Sequence, residues 1–437
     1  MAKLPHFLVV PFPAQGHVMP LMEFSHQLVD HGAKVTFVNT EYIHNMLLSS
    51  LVDPKDGQQR RSGIHLVSVP DGLDIEEDRK LSKNLIYSMM NTMPRHLEDL
   101  FKKSESDDQK IDCVVADATV GWIFDVADKF GTKRAAFWPA SLAVLALTLH
   151  VPKLIEAGVI DENGTPMKEE VIRLPHGMPD MNAFKLMWES SSIPQMREII
   201  LKFIRTISKA ATVANWLICN SIDELEPISR DLVPSSLNIG PLLASDRLGQ
   251  PTGHFWPEDS TCLAWLDQQP VHSVIYVAFG STTIFTECQF NEIAHGLELV
   301  GKPYLWVVRP DITHELIPSF PDGFRDGVTH LGKLVAWAPQ QKVLAHRSMA
   351  CFLTHCGWNS TIEGLSLGVP LLCWPYSADQ FHNQNFICDT LNVGLRLNKD
   401  ENGIITRDEI KVKVQKIYSD EQIRSRANKV KDMQKGV

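Results

Sequence analysis

Eleven short apolar runs recur along this chain, and within each the apolar residues are continuous rather than alternating. Residues 6–12 (HFLVVPF), 34–39, 64–69, 112–117 (DCVVAD), 134–138 and 216–221 form a first series. Residues 274–280 (VIYVAFG), 304–309, 333–337, 350–354 and 370–374 form a second. A strand with one wet face alternates apolar and polar side chains; a strand covered on both faces does not, and buried parallel sheets are built from the latter. Longer helix-like segments separate the runs, such as residues 288–301, which close on Gly301 as an expected helix C-cap. Strand–helix alternation carried through twice predicts an α/β chain of two Rossmann-like, doubly wound domains facing across a cleft. The 437 residues give ample material for both cores. The stretch 239–260 is rich in Pro, Gly and Asp and lacks periodicity. The expected organisation is therefore a first domain at 1–240, a linker at 241–260 and a second domain at 261–437.

Lys and Arg number 42 against 52 Asp and Glu, a net charge of −10 that argues against nucleic acid or any non-specific polyanion as partner. The opening apolar run is short and cut by prolines, unlike a secretory leader. The longest apolar run, around 142–151, falls far below the ~20 residues a membrane span needs. Eight cysteines without a Cys-x-x-Cys pair read as reduced thiols in a cytoplasmic protein, expected to be a monomer without integral membrane contact. The sequons at Asn163 and Asn359 are then chance matches. No Gly-x-Gly occurs, so the fingerprint of a dinucleotide oxidoreductase is missing.

Ligands of an open parallel sheet bind beyond the carboxyl ends of its strands. In the second half that rule collects the unusual residues on one edge. Ser281 follows the run 274–280, Trp337 closes 333–337, His355 follows 350–354, and Asp379 and Gln380 come soon after 370–374. An indole can stack on a base. A helix N-terminus carrying Asn359 and Ser360, with His355 beside it, can hold phosphate oxygens. Carboxylate and amide groups suit vicinal sugar hydroxyls. Each piece also has a plainer reading. Residues 360–363 (STIE) fit a capping box, Trp337 fits packing, and Asp379 fits a solvated loop. His355 and Cys356, with Cys351 nearby, match no zinc spacing. It is the joint placement on one edge that points to a ligand.

In the first half, His17 sits at a strand-to-helix corner, with Pro20 expected in the first turn of the helix, and Asp117 ends the run 112–117. Parallel strands finish on the same edge, so residues 100 apart in sequence can meet there. A hydroxyl is a poor nucleophile until a base takes its proton. A carboxylate behind the imidazole fixes its tautomer and stabilises the imidazolium.

Residues 337–380 (WAPQQKVLAHRSMACFLTHCGWNSTIEGLSLGVPLLCWPYSADQ) resemble the signature box of plant family-1 UDP-sugar glycosyltransferases across all 44 positions, without an insertion. The resemblance continues at 11–20 (PFPAQGHVMP), 216–227 (WLICNSIDELEP) and 274–281 (VIYVAFGS), and so spans nearly the whole chain. It implies the GT-B arrangement and the following roles. Trp337 stacks on uracil, and the Ala338 backbone bonds its edge. Gln340 and Glu363 hold the ribose hydroxyls. Ser281, His355, Asn359 and Ser360 contact the diphosphate. Trp358, through its backbone, Asp379 and Gln380 address the sugar. Gln at position 380 resembles members that prefer UDP-glucose. The resemblance also assigns His17 and Asp117 as base and orienting acid. The implied reaction is an inverting displacement that transfers glucose from UDP-glucose to a hydroxyl of a small lipophilic acceptor. Phenolics, flavonoids or terpenoids would suit an apolar pocket lined by Phe12, Phe137, Trp138 and segment 176–200. No metal is needed if the helix dipole and His355 stabilise the leaving diphosphate, and the sequence shows no Asp-x-Asp pair. A non-catalytic nucleotide-sugar-binding protein and a C-glycosyltransferase are the alternatives.

Two departures from the family pattern stand out. Many relatives carry Ser or Thr where this chain has Pro139, which puts sugar preference in question. The sequence stops at residues 426–437 (RANKVKDMQKGV), so the terminal helix that crosses back onto the first domain in relatives is expected to be absent, trimmed or short.

Overall fold

A computed structural model describes residues 3–50, 63–74, 77, 79, 82–104, 109–167, 171–172, 181–182, 194–243, 253–313, 320, 324 and 331–434. Its contacts divide the chain into two compact units, Met1–Pro257 and Glu258–Val437.

In the first unit the apolar runs become β1 (His6–Val10), β2 (Lys34–Thr40), β3 (Ile64–Val69), β4 (Cys113–Asp117) and β5 (Lys133–Trp138). A two-residue antiparallel ribbon, β6 (Val171–Ile172) with β7 (Met181–Asn182), stands apart. The strands β8 (Trp216–Cys219) and β9 (Ser236–Asn238) complete a seven-stranded parallel sheet in the order β3-β2-β1-β4-β5-β8-β9. The continuous apolar character has a direct cause. Leu8, Val10, Val114 and Ala116 enter one core, while Val9, Phe37, Cys113 and Val115 enter another. Alternate residues of one strand thus feed two buried layers.

The second unit repeats the plan with β10 (Val274–Ala278), β11 (Tyr304–Val307), β12 (Gly332–Val335), β13 (Met349–Thr354), β14 (Leu371–Cys373) and β15 (Gly394–Arg396). Their order is β12-β11-β10-β13-β14-β15, all parallel. Ile275, Val277, Cys351 and Leu353 pack with Phe290 and Trp306 on one face. On the alternate positions, the Tyr276 and Phe352 rings meet at 4.9 Å. Each unit is therefore a Rossmann-like domain, as the sequence predicts. In each, the strand order reverses once, between β1 and β4 and between β10 and β13, and that is where an open sheet leaves a crevice for ligand.

Element ends differ in detail. The strand β1 stops before Pro11, which has no N–H for a ladder, and β12 stops at Val335, two residues short of Trp337. The expected helix near 288–301 spans Glu287–Val300, with Thr286 capping the Gln289 N–H at 3.2 Å and Gly301 closing it at φ 63°. The final described helix, Glu421–Met433, lies against the helix Trp358–Leu367, where Ser366 Oγ donates to Gln434 Oε1 at 2.5 Å.

Candidate active site

In the first unit, α1 (Gln15–Asp30) leaves β1 through Ala14, an extended N-cap residue without a side-chain cap. The helix starts earlier than the sequence suggests. Pro20 falls in its second turn, and His17 itself lies in the first, its N–H bonded to the Ala14 carbonyl at 2.9 Å. The base candidate therefore stands on regular helix. Asp117 ends β4 fully buried, and its Oδ2 lies 2.6 Å from His17 Nδ1. Its other oxygen, Oδ1, accepts from the Thr119 N–H at 2.9 Å and the Thr119 hydroxyl at 2.6 Å. With donors on both oxygens, the carboxylate has one orientation. It draws the proton of the neutral ring to Nδ1, so Nε2 is the basic nitrogen. The His17 side chain is 29% exposed while that of Asp117 is 0% exposed, so a hydroxyl can reach the ring but water does not reach the acid.

Phe12 lies just beyond β1, its ring 5.2 Å from the imidazole of His17 and 5.4 Å from Phe203. The two other acceptor candidates are placed differently. Phe137 is fully buried and stacks on Phe24 at 6.1 Å, and Trp138 is buried with its indole N–H donating to the Ser141 carbonyl at 2.8 Å. They alternate on β5, a central strand, Trp138 in one buried layer and Phe137 in the other. Of the segment 176–200, residues 176–180 and 183–193 lie outside the described residues.

In the second unit, Trp337 is half-buried in the bend after β12, its carbonyl accepting from the Asp259 N–H at 2.9 Å, and Ala338 is buried. Gln340, Ser360 and Glu363 form one polar cluster. The Tyr276 hydroxyl donates to Gln340 Oε1 at 3.1 Å. Gln340 Nε2 reaches Ser360 Oγ at 2.9 Å and Glu363 Oε2 at 2.5 Å, while Gln341 Nε2 reaches Glu363 Oε1 at 2.8 Å. Burial raises the Glu363 carboxyl pKa, and the two amides work against it.

The expected capping box at 360–363 is not formed. The helix Trp358–Leu367 begins ahead of Ser360, with Gly357 as N-cap and no side-chain cap. Ser360 and Glu363 are thus inside the helix and turn to Gln340 and Gln341. Gly357 has no side chain with which to cap this turn, and the positive end of the helix dipole lies at its backbone N–H groups. Asn359 sits in that turn. The buried indole of Trp358 packs 6.4 Å from Phe386, so its backbone is what it can present.

The ring of His355 is wedged between two glycines. A Cβ built on Gly280 or on Gly357 would stand 2.5 Å from His355 Nε2. Gly280 also holds φ at +67°, in the left-handed region, and Ser281 follows it directly. Burial, then the charge of Arg309, lowers the His355 pKa to about 4, so the ring is neutral at neutral pH. Its Nδ1 is buried without a hydrogen-bond partner among the described residues. Asp379 precedes the helix Gln380–Asn385, and its Oδ2 accepts from Asn383 Nδ2 at 2.8 Å. Gln380 Oε1 accepts from the N–H groups of Tyr376 at 2.8 Å and Ser377 at 2.9 Å, which fixes the orientation of its amide. Among the described residues, no group of three or more His, Cys, Asp and Glu could hold a metal ion.

Three participants, and one buried acid outside the site, escape a reading of the sequence. Thr119, two residues after Asp117, is legible only once the turn is known. Tyr276 and Gln341 look like ordinary strand and helix residues. Glu226 looks like a surface acid, yet it is buried and caps a remote helix, accepting from the Leu142 N–H at 2.8 Å, the Ala143 N–H at 2.9 Å and the Ser221 hydroxyl at 2.5 Å.

Two Rossmann-like domains, with a His–Asp pair on one and a helix N-terminus opening on Gly357 beside a polar cluster on the other, define a class of nucleotide-binding transferase fold. The family described as UDP-glucoronosyl and UDP-glucosyl transferase matches residues 253–431. UDP-glycosyltransferase 83A1 of Arabidopsis thaliana is 40% identical over 437 residues, covering 98% of this chain and 92% of that protein. A UDP-glucosyltransferase from Polygonum tinctorium capable of glucosylating indoxyl, solved in complex with 3,4-dichloroaniline, is 28% identical with a TM-score of 0.81, covering 99% of this chain and 94% of its own. Os79 from O. sativa, solved in complex with UDP, is 26% identical with a TM-score of 0.79, covering 97% and 94%. The chain belongs to the plant family-1 UDP-glycosyltransferases, enzymes of the GT-B fold class.

Proposed function

We propose that the protein is an inverting, UDP-glucose-dependent O-glucosyltransferase that acts on a hydroxyl of a small lipophilic acceptor. The observation that carries this reading is the 2.6 Å contact of His17 Nδ1 with Asp117 Oδ2. His17 Nε2 takes the acceptor proton as the oxygen attacks the anomeric carbon. UDP departs from the opposite side, and an α-linked donor gives a β-glucoside. Asp117 stabilises the imidazolium, and Thr119 holds Asp117 in line. On the donor side, Trp337 and Ala338 take the uracil, and Gln340 and Glu363 the ribose. Ser281, His355, Asn359 and Ser360 take the diphosphate, and Trp358, Asp379 and Gln380 the glucose. The first-turn amides of helix Trp358–Leu367 stabilise the charge that develops on the leaving group, which makes a divalent ion unnecessary. The UDP bound by Os79 and the glucosyl transfer of the Polygonum protein support this donor class. The indoxyl and dichloroaniline of the latter support a small aromatic acceptor, with Phe12 beside the base.

The eight cysteines are all free thiols, which suits a cytoplasmic enzyme, and among the described residues no helix is long and apolar enough to cross a membrane. We take a monomer as the working unit. The test is incubation of the protein and UDP-glucose with a panel of phenolic, flavonoid and terpenoid acceptors in the presence of EDTA. Products are read by mass and by the anomeric proton coupling. A β-O-glucoside formed with EDTA present is expected. An α-glucoside, a β-glucosidase-resistant C-glycoside, or activity that returns only with added metal contradicts the respective part.

A further inference from the structure

One buried charge of the second unit has no role in the mechanism above. Arg309, at the end of the run that forms β11, is 1% exposed. Its Nη2 donates to the Thr283 carbonyl at 2.8 Å, its Nη1 to the Gly280 carbonyl, and its Nε to Asp311 Oδ1 at 2.9 Å. Among the described residues, the carboxylate paired with it is that of Asp311, whose side chain is 52% exposed and therefore compensates it weakly. A guanidinium stays charged even when buried, and taking it out of water is costly unless it is well paired or put to use. The two carbonyls it holds bracket residues 280–283, the loop that contains Ser281. The His355 ring leaves Gly280 of the same loop no room for a side chain, since a Cβ there would stand 2.5 Å from Nε2.

We propose that Arg309 is a positioning residue for the donor diphosphate, one that holds loop 280–283 through two carbonyls and attracts the phosphates by its buried positive charge. The inference rests on the donor site described under Proposed function. Burial screens the charge little, so its field persists at the loop surface, where the second phosphate gains negative charge as the glycosidic bond breaks. The field already acts on a neighbour: after burial, Arg309 is the cause that lowers the pKa of His355. A charge that disfavours a proton on that ring favours an anion beside it.

The experiment is calorimetric titration of the wild type, R309M and D311N with uridine, UMP and UDP, alongside steady-state turnover. R309M keeps the bulk and removes the charge. It is expected to weaken UDP binding about tenfold or more while uridine stays within about twofold, and to lower kcat as well as raise KM. D311N removes the partial compensation at an exposed position that folding tolerates. It is expected to tighten UDP about twofold to threefold with uridine unchanged. An unaltered UDP-over-uridine preference in R309M overturns the proposal, and so does an equal loss of uridine and UDP, which would mean a purely structural arginine. If R309M does not fold, D311N decides alone, and an unchanged UDP affinity there overturns the proposal. A wild type that binds neither uridine nor UDP removes the donor reading itself, and this inference with it.

Discussion

His17 and Asp117 lie 100 positions apart, yet their side chains meet at 2.6 Å. What joins them is the parallel pairing of β1 with β4, which brings both strand ends to one edge. That much is legible in the sequence, because strand ends can be read from apolar runs and their residues listed by chemistry. The support behind the pair is not. Thr119 acts through a turn whose geometry no periodicity reveals. T119V removes the hydroxyl that fixes Asp117 Oδ1 at 2.6 Å and keeps the backbone bond. We expect kcat to fall about tenfold with UDP affinity unchanged, since one of two donors on that oxygen is lost. D117N has a larger expected effect, a kcat loss of about 10³-fold or more, because a neutral amide no longer stabilises the imidazolium. Steady-state kinetics beside UDP titration separates these losses from misfolding. Phe137 and Trp138 mark the opposite case. Aromatic content alone does not tell a pocket wall from a core, and it does not show that β5 sends Trp138 into one buried layer and Phe137 into the other.

Among the elements, the long buried strands and the helix closed by Gly301 are evident from composition and pattern. The three-residue edge strands β9 (SLN) and β15 (GLR) are not, since they are too short and too polar to stand out. The capping box fails for a physical reason: Gly357 already supplies the extended N-cap, and the more rewarding partners for Ser360 and Glu363 are the side-chain amides of Gln340 and Gln341. Two glycines allow a contrast. Gly301 has φ 63° and open space around it, so Gly301→Ala carries only the left-handed backbone penalty, about 1–2 kcal/mol. Gly280→Ala adds to that penalty a Cβ at 2.5 Å from His355 Nε2. It should cost about 3 kcal/mol or more, and it should also weaken UDP binding, whereas Gly301→Ala should leave binding alone. Thermal melts with and without UDP distinguish the two.

For the molecule as a whole, two doubly wound domains follow from strand–helix alternation read twice along 437 residues. The pH response of stability does not follow from the sequence, because it depends on which histidines are dry. His355 is 9% exposed, and its pKa falls from 6.5 to about 4, by burial first and by Arg309 second. The folded chain therefore keeps this ring neutral, while the unfolded chain protonates it near pH 6.5. Its contribution is complete above that pH and is lost as the pH falls from about 6.5 to about 4, a destabilisation of about 3 kcal/mol. Chemical denaturation of the wild type from pH 8 to pH 4, beside H355Q, checks this: the variant should show a shallower loss over that window.

The decisive comparison is His17→Ala against the wild type, with UDP affinity measured by calorimetry and glucosyl transfer by initial rate on the same preparations. Removal of the base should leave the UDP dissociation constant within about twofold and reduce kcat about 10³-fold or more. Turnover that persists in the variant at the wild-type rate would show that the imidazole facing Asp117 does not take the acceptor proton.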